Sequence, residues 1–172
     1  MYDFSLPSEF ERMYEDYFPK IYQHVFYRLL HKQDCEDLVS EIFIKVARNI
    51  FRFDAQEASF NTWIFTIARN TLIDFFRKRS NNVSLDHCDT LIWVDFEEQY
   101  AVIVGEDRKI VYQALMQLDD RSRQILSLKY FAELNNREIS RLINVNESTV
   151  STISLRAQKK MKELLAEKVF NC

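Results

Sequence analysis

Residues 134–165 read LNNREISRLINVNESTVSTISLRAQKKMKELL, and this stretch carries the strongest structural signal in the chain. Asn135 and Glu138 have the spacing of a capping box, in which two side chains satisfy backbone amides in the first turn of a helix. Asn144 tolerates the left-handed backbone conformation that a tight turn between two helices requires. Apolar residues recur at helical intervals on both sides of that turn, and the pattern predicts a helix-turn-helix. They are Ile139, Leu142 and Ile143 before the turn, and Val150, Ile153, Ala157, Met161 and Leu164 after it.

The second predicted helix of this motif has an outward face suited to a DNA groove. Small hydroxyl side chains allow a helix to approach base edges closely, and basic side chains bind phosphates without reading the sequence. The structural alternative is an ordinary helical hairpin with a basic tail. The residues that we expect to contact DNA are Ser148, Thr149, Ser151, Thr152, Arg156 and Lys159.

The composition favours an all-α protein. The chain has 172 residues, of which 47% are hydrophobic and 28% charged, but it contains one Gly and two Pro. Because glycine averages about 7% of soluble proteins, this depletion excludes glycine-rich phosphate loops, dinucleotide-binding fingerprints and most hairpin turns. Enzymes built on strand–loop–helix units are therefore not expected, and the sequence predicts no catalytic residues and no cofactor.

Charge is distributed in blocks, although the net charge is only −3. Residues 60–82 have a balance of +3, and residues 108–172 have a balance of +5. The segment between them, 83–107, has a balance of −7 and contains no Lys or Arg, while residues 1–59 have a balance of −4. Blocks of opposite sign are typical of chains whose segments bind different partners. The predicted domains are 1–80 and 108–172, joined by an acidic linker at 81–107.

Three helices are predicted in the N-terminal domain from the spacing of apolar residues. Pro19 falls within the first and is expected to kink or break it. Asp34 is expected to cap the second. The expected bounds are 8–32, 34–51 and 60–79, with a loop at 52–59 and a turn cluster at 80–82.

Three stretches resemble the sigma factors of bacterial RNA polymerase. Residues 34–46 read DCEDLVSEIFIKV and residues 60–79 read FNTWIFTIARNTLIDFFRKR, and together they resemble region two of these factors. Residues 118–131 read LDDRSRQILSLKYF and, with the helix-turn-helix, resemble region four. The likeness is closest to the extracytoplasmic-function (ECF) group, which retains only these two regions. The resemblance implies a two-domain, all-α protein without enzymatic activity that directs the polymerase to promoters.

The resemblance implies that the helix containing residues 34–46 docks on the clamp helices of the polymerase β′ subunit. A face that mixes acidic and apolar side chains suits a basic coiled-coil partner. The matching residues in this chain are Asp34, Asp37, Val39, Glu41, Ile42 and Lys45.

The helix at 60–79 resembles the elements that melt a promoter and read its minus-ten sequence. Opening a duplex requires a place for an unstacked base and cations for the exposed strand. Trp63 is available for stacking, although a large aromatic residue in an apolar helix more often belongs to the core. The implied minus-ten contacts are Asn61, Thr62, Trp63, Arg69, Asn70, Arg77 and Lys78, and the outward residues of the helix-turn-helix are the implied minus-thirty-five contacts.

The same resemblance implies three partners. They are core RNA polymerase, through its β′ clamp helices and β flap, promoter DNA, and an anti-sigma factor. The acidic linker is expected to be attracted to the basic channel along the route of the nascent transcript. A cytoplasmic protein without membrane insertion is expected, because no stretch reaches the roughly 18 apolar residues of a membrane span. If the protein is held at the membrane, the resemblance implies that the anti-sigma factor holds it there.

Two other classes of function remain open at this point. A stand-alone helix-turn-helix regulator that binds operators as a dimer would explain 134–165 but would leave the N-terminal motifs without a role. A metal-binding module would use His24, His31 and Cys35, whose spacings of seven and four align them on a continuous helix. A helix start at Asp34 would separate these residues. The three cysteines of the chain are too few for a disulfide framework.

Overall fold

The computed structural model describes residues 2, 4, 7–29, 31–82 and 106–169 of the chain. Within these residues it contains seven α-helices, a short 3₁₀ turn at Ile50–Arg52 and no β-strand, which confirms the all-α prediction. The predicted linker lies largely outside the described residues. The helices are α1 (Pro7–Leu29), α2 (Lys32–Asn49), α3 (Phe60–Asn82), α4 (Glu106–Met116), α5 (Asp120–Tyr130), α6 (Asn136–Ile143) and α7 (Glu147–Val169).

Helices α1, α2 and α3 pack around one apolar core. Met13, Ile21 and Val25 are fully buried on α1, on both sides of Pro19. The helix runs without interruption from its first residue to its last, so the predicted break at Pro19 is wrong. Burial on both sides of Pro19 keeps the two parts of α1 in one helix, because packing overrides the local preference. The other core residues are Cys35, Leu38, Val39, Ile42, Phe43 and Val46 on α2, and Ile64, Phe65, Ala68 and Leu72 on α3.

The ends of α2 and α3 differ from the prediction. His31, not Asp34, caps α2, because its side chain accepts a hydrogen bond from the backbone amide of Asp34 at 3.2 Å. Asp34 lies inside the first turn and forms an ion pair with Arg79 at 3.1 Å. Helix α3 continues through residues 80–82, where a turn was predicted. The ion pair joins the last turns of α3 to the start of α2, which favours the longer helix.

The caps and the turn that connect α5, α6 and α7 are formed by residues whose types favour them. Asp119 caps α5 by accepting hydrogen bonds from the Ser122 hydroxyl (2.6 Å) and backbone amide (2.9 Å). These bonds hold the pKa of the Asp119 carboxyl below its ordinary value. Asn135 and Glu138 form the predicted capping box, and Asn144 adopts the left-handed conformation with φ 54° and ψ 57°. The predicted helix-turn-helix is therefore confirmed as α6 and α7.

The two halves of the described chain pack together, with α1 against α5. Tyr27 stacks on Phe131, and their ring centroids lie 5.0 Å apart. His24 is 1% exposed, and its Nδ1 lies 2.9 Å from the Ser127 hydroxyl oxygen. Burial, reinforced by the nearby Arg28 cation, lowers the pKa of His24 to about 3, so the imidazole is neutral at physiological pH. The centre of this α1–α5 interface is therefore aromatic and uncharged.

Charged side chains surround the α1–α5 interface. Arg28 forms an ion pair with Asp120 at 3.1 Å, and Lys20 forms one with Glu133 at 2.9 Å. Glu133 follows α5 in a left-handed conformation, with φ 54°. These pairs join α1 to the first residue of α5 and to the turn between α5 and α6.

Candidate nucleic-acid interface

Helix α7 presents the predicted DNA-contacting residues along one face. Thr152 is exposed, and its hydroxyl donates to the Ser148 carbonyl at 2.9 Å, which holds the side chain along the helix. The Lys159 side chain is 81% exposed, and its Nζ lies 4.0 Å from the Glu163 carboxylate. Of the six predicted residues, Ser148, Thr149, Thr152, Arg156 and Lys159 are exposed and Ser151 is half-buried.

Leu155 lies on the same exposed face, and the sequence analysis missed it. Its side chain is 64% exposed, whereas the neighbouring Ser154 is buried and bonded to Lys129 and Gln158. Counting one helical turn from the buried Val150 places position 154 inward and position 155 outward. That count would have identified Leu155 as a surface residue. An exposed leucine among hydroxyl and basic side chains is an apolar contact point on a polar face.

The C-terminal part of α3 forms a second basic surface. Arg77 and Lys78 are exposed. Among the ion pairs of the described residues, Arg77 takes part in one, with Asp74 at 3.0 Å. Asn70 is exposed one helical turn after the half-buried Thr66. Arg69 is half-buried and donates to the Asn70 side-chain oxygen at 3.3 Å. The structure therefore brings Asn70, Arg77 and Lys78 to the surface, with Arg69 beside them.

The start of α3 is not open in this conformation. The Asn61 side-chain amide donates to the Ala132 carbonyl, and the Thr62 hydroxyl donates to the Glu138 carboxylate at 3.1 Å. Trp63 is half-buried. The three predicted minus-ten contacts at positions 61–63 are therefore engaged within the chain.

Trp63 belongs to an aromatic cluster at the start of α3. Its ring centroid lies 5.4 Å from that of Phe60 and 5.5 Å from that of Phe53. Tyr2 packs on Phe60 at 5.4 Å and donates its hydroxyl to Asp16 at 2.6 Å. Burial raises the pKa of Tyr2, and the Asp16 carboxylate raises it further, so the phenol stays protonated. The half-buried Trp63 ring therefore packs against other aromatic side chains of the chain, and its stacking on a base stays a prediction.

The outward face of α2 differs from the predicted polymerase-binding face at two positions. Val39 and Ile42 are 2% and 0% exposed and pack in the core, so this structure does not present them on the predicted binding face. The phase of α2 instead turns Asp37 and Ile44 outward, with Ile44 51% exposed, and the 3₁₀ turn that follows α2 exposes 81% of Phe51. The sequence analysis missed both apolar residues. We call the exposed stripe Asp37, Ser40, Ile44 and Phe51 the α2 outer face.

The remaining predicted residues of α2 take part in local contacts. Lys45 pairs with Glu41 at 2.7 Å and donates to the buried Thr71 hydroxyl at 3.1 Å. Asp34 is held by Arg79. Glu41 and Lys45 border the α2 outer face, while Asp34 lies at its N-terminal end.

The alternative of a metal site finds no support in the geometry. His24 lies in the α1–α5 interface, His31 caps α2, and the Cys35 thiol is buried and donates to the Tyr22 carbonyl at 3.7 Å. Across the part of the chain that the structure describes, no three His, Cys, Asp or Glu side chains are grouped as metal ligands. None of the described helices combines the length and apolar character that a bilayer span requires.

Comparisons with known proteins agree with this arrangement. Residues 13–82 match the family model of sigma-70 region 2, and residues 114–163 match that of sigma-70 region 4. The chain is 28% identical over 156 residues to the ECF RNA polymerase sigma factor SigM of Bacillus subtilis, covering 90% of this chain and 93% of SigM. It is 27% identical over 160 residues to the ECF RNA polymerase sigma factor BldN of Streptomyces coelicolor, covering 92% of this chain but 61% of BldN.

The fold is also that of a solved sigma factor. RpoE, crystallised with the anti-sigma factor NepR from Bartonella quintana, superposes with a TM-score of 0.70 at 19% sequence identity, covering 92% of this chain and 97% of RpoE. With both regions matched in order on an all-helical chain, the protein belongs to the ECF group of the sigma-70 family, the initiation factors of bacterial RNA polymerase.

Proposed function

We propose that the chain binds core RNA polymerase through the α2 outer face and places α3 and α7 on the minus-ten and minus-thirty-five promoter elements. The observation that carries this proposal is the distribution of charge over exposed surfaces. The α2 outer face is acidic and apolar, whereas the end of α3 and the outward face of α7 are basic. DNA repels the first surface and attracts the other two, so the first suits a protein partner rather than DNA.

The α2 outer face has the composition of a protein-binding surface. Ile44 and Phe51 expose apolar side chains whose burial against a partner contributes about 1.5–3 kcal/mol each. Asp37 lies two helical turns before Ile44 and adds the negative charge that attracts a basic partner and orients it. The basic coiled coil of the β′ clamp helices has the chemistry that this face fits.

The end of α3 supports a role in holding the melted strand. Arg77 and Lys78 are exposed cations, and exposed cations bind phosphates. Asn70 is exposed nearby and has both a donor and an acceptor for an unpaired base. Strand opening then requires the start of α3, at positions 61–63, to be freed from its present contacts.

Helix α7 supports readout of the minus-thirty-five element. Thr152 offers a hydroxyl to base edges, and Leu155 offers an apolar surface for the methyl group of thymine. Arg156 and Lys159 lie further along the same face, where they bind phosphates and set the register of the helix. The proposed division is thus sequence readout by 148–155 and positioning by 156–159.

Three further roles complete the proposal. The C-terminal half docks on the β flap, and the acidic segment 83–107 is drawn to the basic nucleic-acid channel of the polymerase by its charge of −7. An anti-sigma factor is the third proposed partner, and the similar RpoE was solved bound to such a protein.

Run-off transcription with purified core polymerase and genomic promoter fragments tests the proposal. The wild-type chain should produce discrete transcripts, and Asp37→Lys on the α2 outer face should abolish them. Glu15→Lys is the matched control, because it makes the same charge change at an exposed position on α1. Loss of transcription with both variants, or with neither, would contradict the proposed docking face.

A gel shift separates this function from that of a stand-alone helix-turn-helix regulator. A regulator binds its operator tightly without the polymerase. The free sigma factor should bind promoter DNA weakly, because acidic residues flank its basic faces and its minus-ten contacts are engaged internally. Strong binding that is unchanged by core polymerase would favour the regulator.

A further inference from the structure

Phe60, the first residue of α3, lies at the centre of a cluster of aromatic rings. Its ring centroid lies 5.2 Å from that of Phe53 and 5.4 Å from that of Trp63. The Tyr17 ring of α1 packs edge to face on Phe60 at 5.3 Å. Phe53 and Phe60 stand at the two ends of the loop 54–59, so their perpendicular contact closes the base of that loop. The cluster therefore ties the beginning of α3, and the loop before it, to α1.

Two residues that precede α1 complete this cluster. The ring centroids of Tyr2 and Phe4 lie 5.4 Å and 5.5 Å from that of Phe60, and 5.6 Å from each other. The Tyr2 side chain is also bound to α1 at both of its ends. Its hydroxyl donates to the Asp16 carboxylate at 2.6 Å, and the Arg12 guanidinium lies 5.4 Å from its ring centroid. Tyr2 therefore joins the outer side of α1 to the first residue of α3.

From these contacts we propose that Tyr2 is a positioning residue for promoter opening. Its ring holds Phe60, and Phe60 holds the first turn of α3, which carries the proposed minus-ten contacts at positions 61–63. This inference rests on the proposed function of α3. Groups that are held in place before DNA binds do not have to be ordered during opening, so less of the binding free energy is lost. Tyr2 acts through Phe60 and is not itself proposed to contact DNA.

The aromatic cluster belongs entirely to the N-terminal half of the chain. Its rings come from the residues before α1, from α1, from the loop before α3 and from α3 itself. The side chains of Asn61 and Thr62, in contrast, contact Ala132 and Glu138 in the second half. Release of those contacts leaves the rings around Phe60 in place. The first turn of α3 therefore keeps its support when its polar side chains become available to DNA.

Three variants separate the ring of Tyr2 from its hydroxyl and from a general loss of aromatic packing. Tyr2→Ala removes both the ring and the hydroxyl. Tyr2→Phe keeps the ring on Phe60 but removes the hydrogen bond to Asp16. Tyr14→Ala is the matched control, because it removes a tyrosine that is 39% exposed on α1. The Tyr14 ring packs on Phe18 and Phe43, at 5.3 Å and 4.6 Å, instead of on Phe60.

The measurement uses the full chain assembled with core polymerase, on a promoter that the wild type transcribes. One minus-ten adenine is replaced by 2-aminopurine, whose fluorescence rises when the base unstacks, and labelled core polymerase reports binding of the chain by anisotropy. At saturating holoenzyme, Tyr2→Ala should slow opening about fivefold, which corresponds to the loss of one aromatic contact. Its affinity for core polymerase should be unchanged. Tyr2→Phe and Tyr14→Ala should both open the promoter within about twofold of the wild-type rate.

Four results would overturn the inference. They are a wild-type opening rate in Tyr2→Ala, equal losses in Tyr2→Ala and Tyr14→Ala, a loss in Tyr2→Phe as large as that in Tyr2→Ala, and a loss of core-polymerase affinity in Tyr2→Ala. The second and fourth would assign Tyr2 a purely structural role, and the third would assign the effect to the Asp16 hydrogen bond. Run-off transcription by the wild-type chain is read separately. If the wild type fails there, the proposed function falls, whereas a transcribing wild type with an unaffected Tyr2→Ala variant refutes the positioning role alone.

Discussion

Acidification from pH 7 to pH 5 should reduce the free energy of unfolding of the wild-type chain by about 2 kcal/mol more than that of His24→Gln. The imidazole of His24, on α1, is packed against α3 and α5. It faces the Ser127 hydroxyl at 2.9 Å on α5, the Phe65 ring at 5.5 Å on α3 and the Arg28 cation on its own helix. Desolvation first, and the Arg28 charge second, lower its pKa from 6.5 to about 3.

The sign and the size of this effect follow from proton binding. Between pH 6.5 and about 3 the unfolded chain holds a proton on His24 that the folded chain lacks, so stability falls as the pH falls. The contribution of the neutral imidazole is complete above pH 6.5. The loss accumulates over about 1.5 pH units down to pH 5, at about 1.4 kcal/mol per unit, which gives about 2 kcal/mol.

Urea unfolding followed by far-UV circular dichroism, at both pH values, provides the measurement. The glutamine amide has the groups to hydrogen-bond with the Ser127 hydroxyl but does not titrate, so the difference between the two proteins isolates His24 from the other acids and bases. Equal losses in the wild type and in His24→Gln would refute the reasoning. A His24 resonance that titrates near pH 6.5 in the folded protein would refute it independently.

Three further predictions concern α2, the turn of the helix-turn-helix and α3. Ile42→Ala should lower the free energy of unfolding by about 3 kcal/mol, because it leaves a cavity in the core. Ile44→Ala should change the free energy of unfolding by less than about 0.5 kcal/mol. The Ile44→Ala variant should nevertheless bind core polymerase more weakly in a titration. Asn144→Ala should lower the free energy of unfolding by about 1 kcal/mol in urea, because its φ of 54° disfavours residues other than Asn and Gly. Arg77→Ala and Lys78→Ala should each reduce the salt slope of promoter binding by the holoenzyme by about one, as measured by filter binding across a salt series.

The features that the sequence predicted correctly are determined by residues that lie close together in the chain. Asn135 and Glu138 form their capping box wherever α6 is placed, and Asn144 turns the chain because of its own backbone preference. The charge of each segment is likewise independent of packing. These local signals were sufficient to predict the helix-turn-helix and its basic outward face.

The phase of α2 could not be read from the sequence because apolar residues occur on more than one side of it. Val39, Ile42 and Ile44 are all β-branched and apolar, and only the packing of α2 against α1 and α3 decides that the first two are buried. Of the two predicted effects of Pro19, a kink or a break, the break is wrong for the same reason, because burial on both sides of Pro19 maintains the helix.

The contacts at the start of α3 depend on residues far apart in the chain. Thr62 and Glu138 are 76 positions apart, and Asn61 and Ala132 are 71 apart. No periodicity or spacing reports such a pairing. The sequence offers candidate DNA contacts by residue type, and they stay predictions, but it does not report that the second half of the chain engages Asn61 and Thr62.

The association of the chain with core RNA polymerase tests the central claim most directly. Fluorescently labelled chain is titrated with purified core polymerase, and the dissociation constant is compared with those of Asp37→Lys and Glu15→Lys. The account predicts a saturable complex for the wild type and for Glu15→Lys, and a loss of at least tenfold in affinity for Asp37→Lys, equivalent to about 1.4 kcal/mol. A wild-type chain that does not associate with the polymerase, or an Asp37→Lys variant that binds as tightly as the wild type, would contradict it.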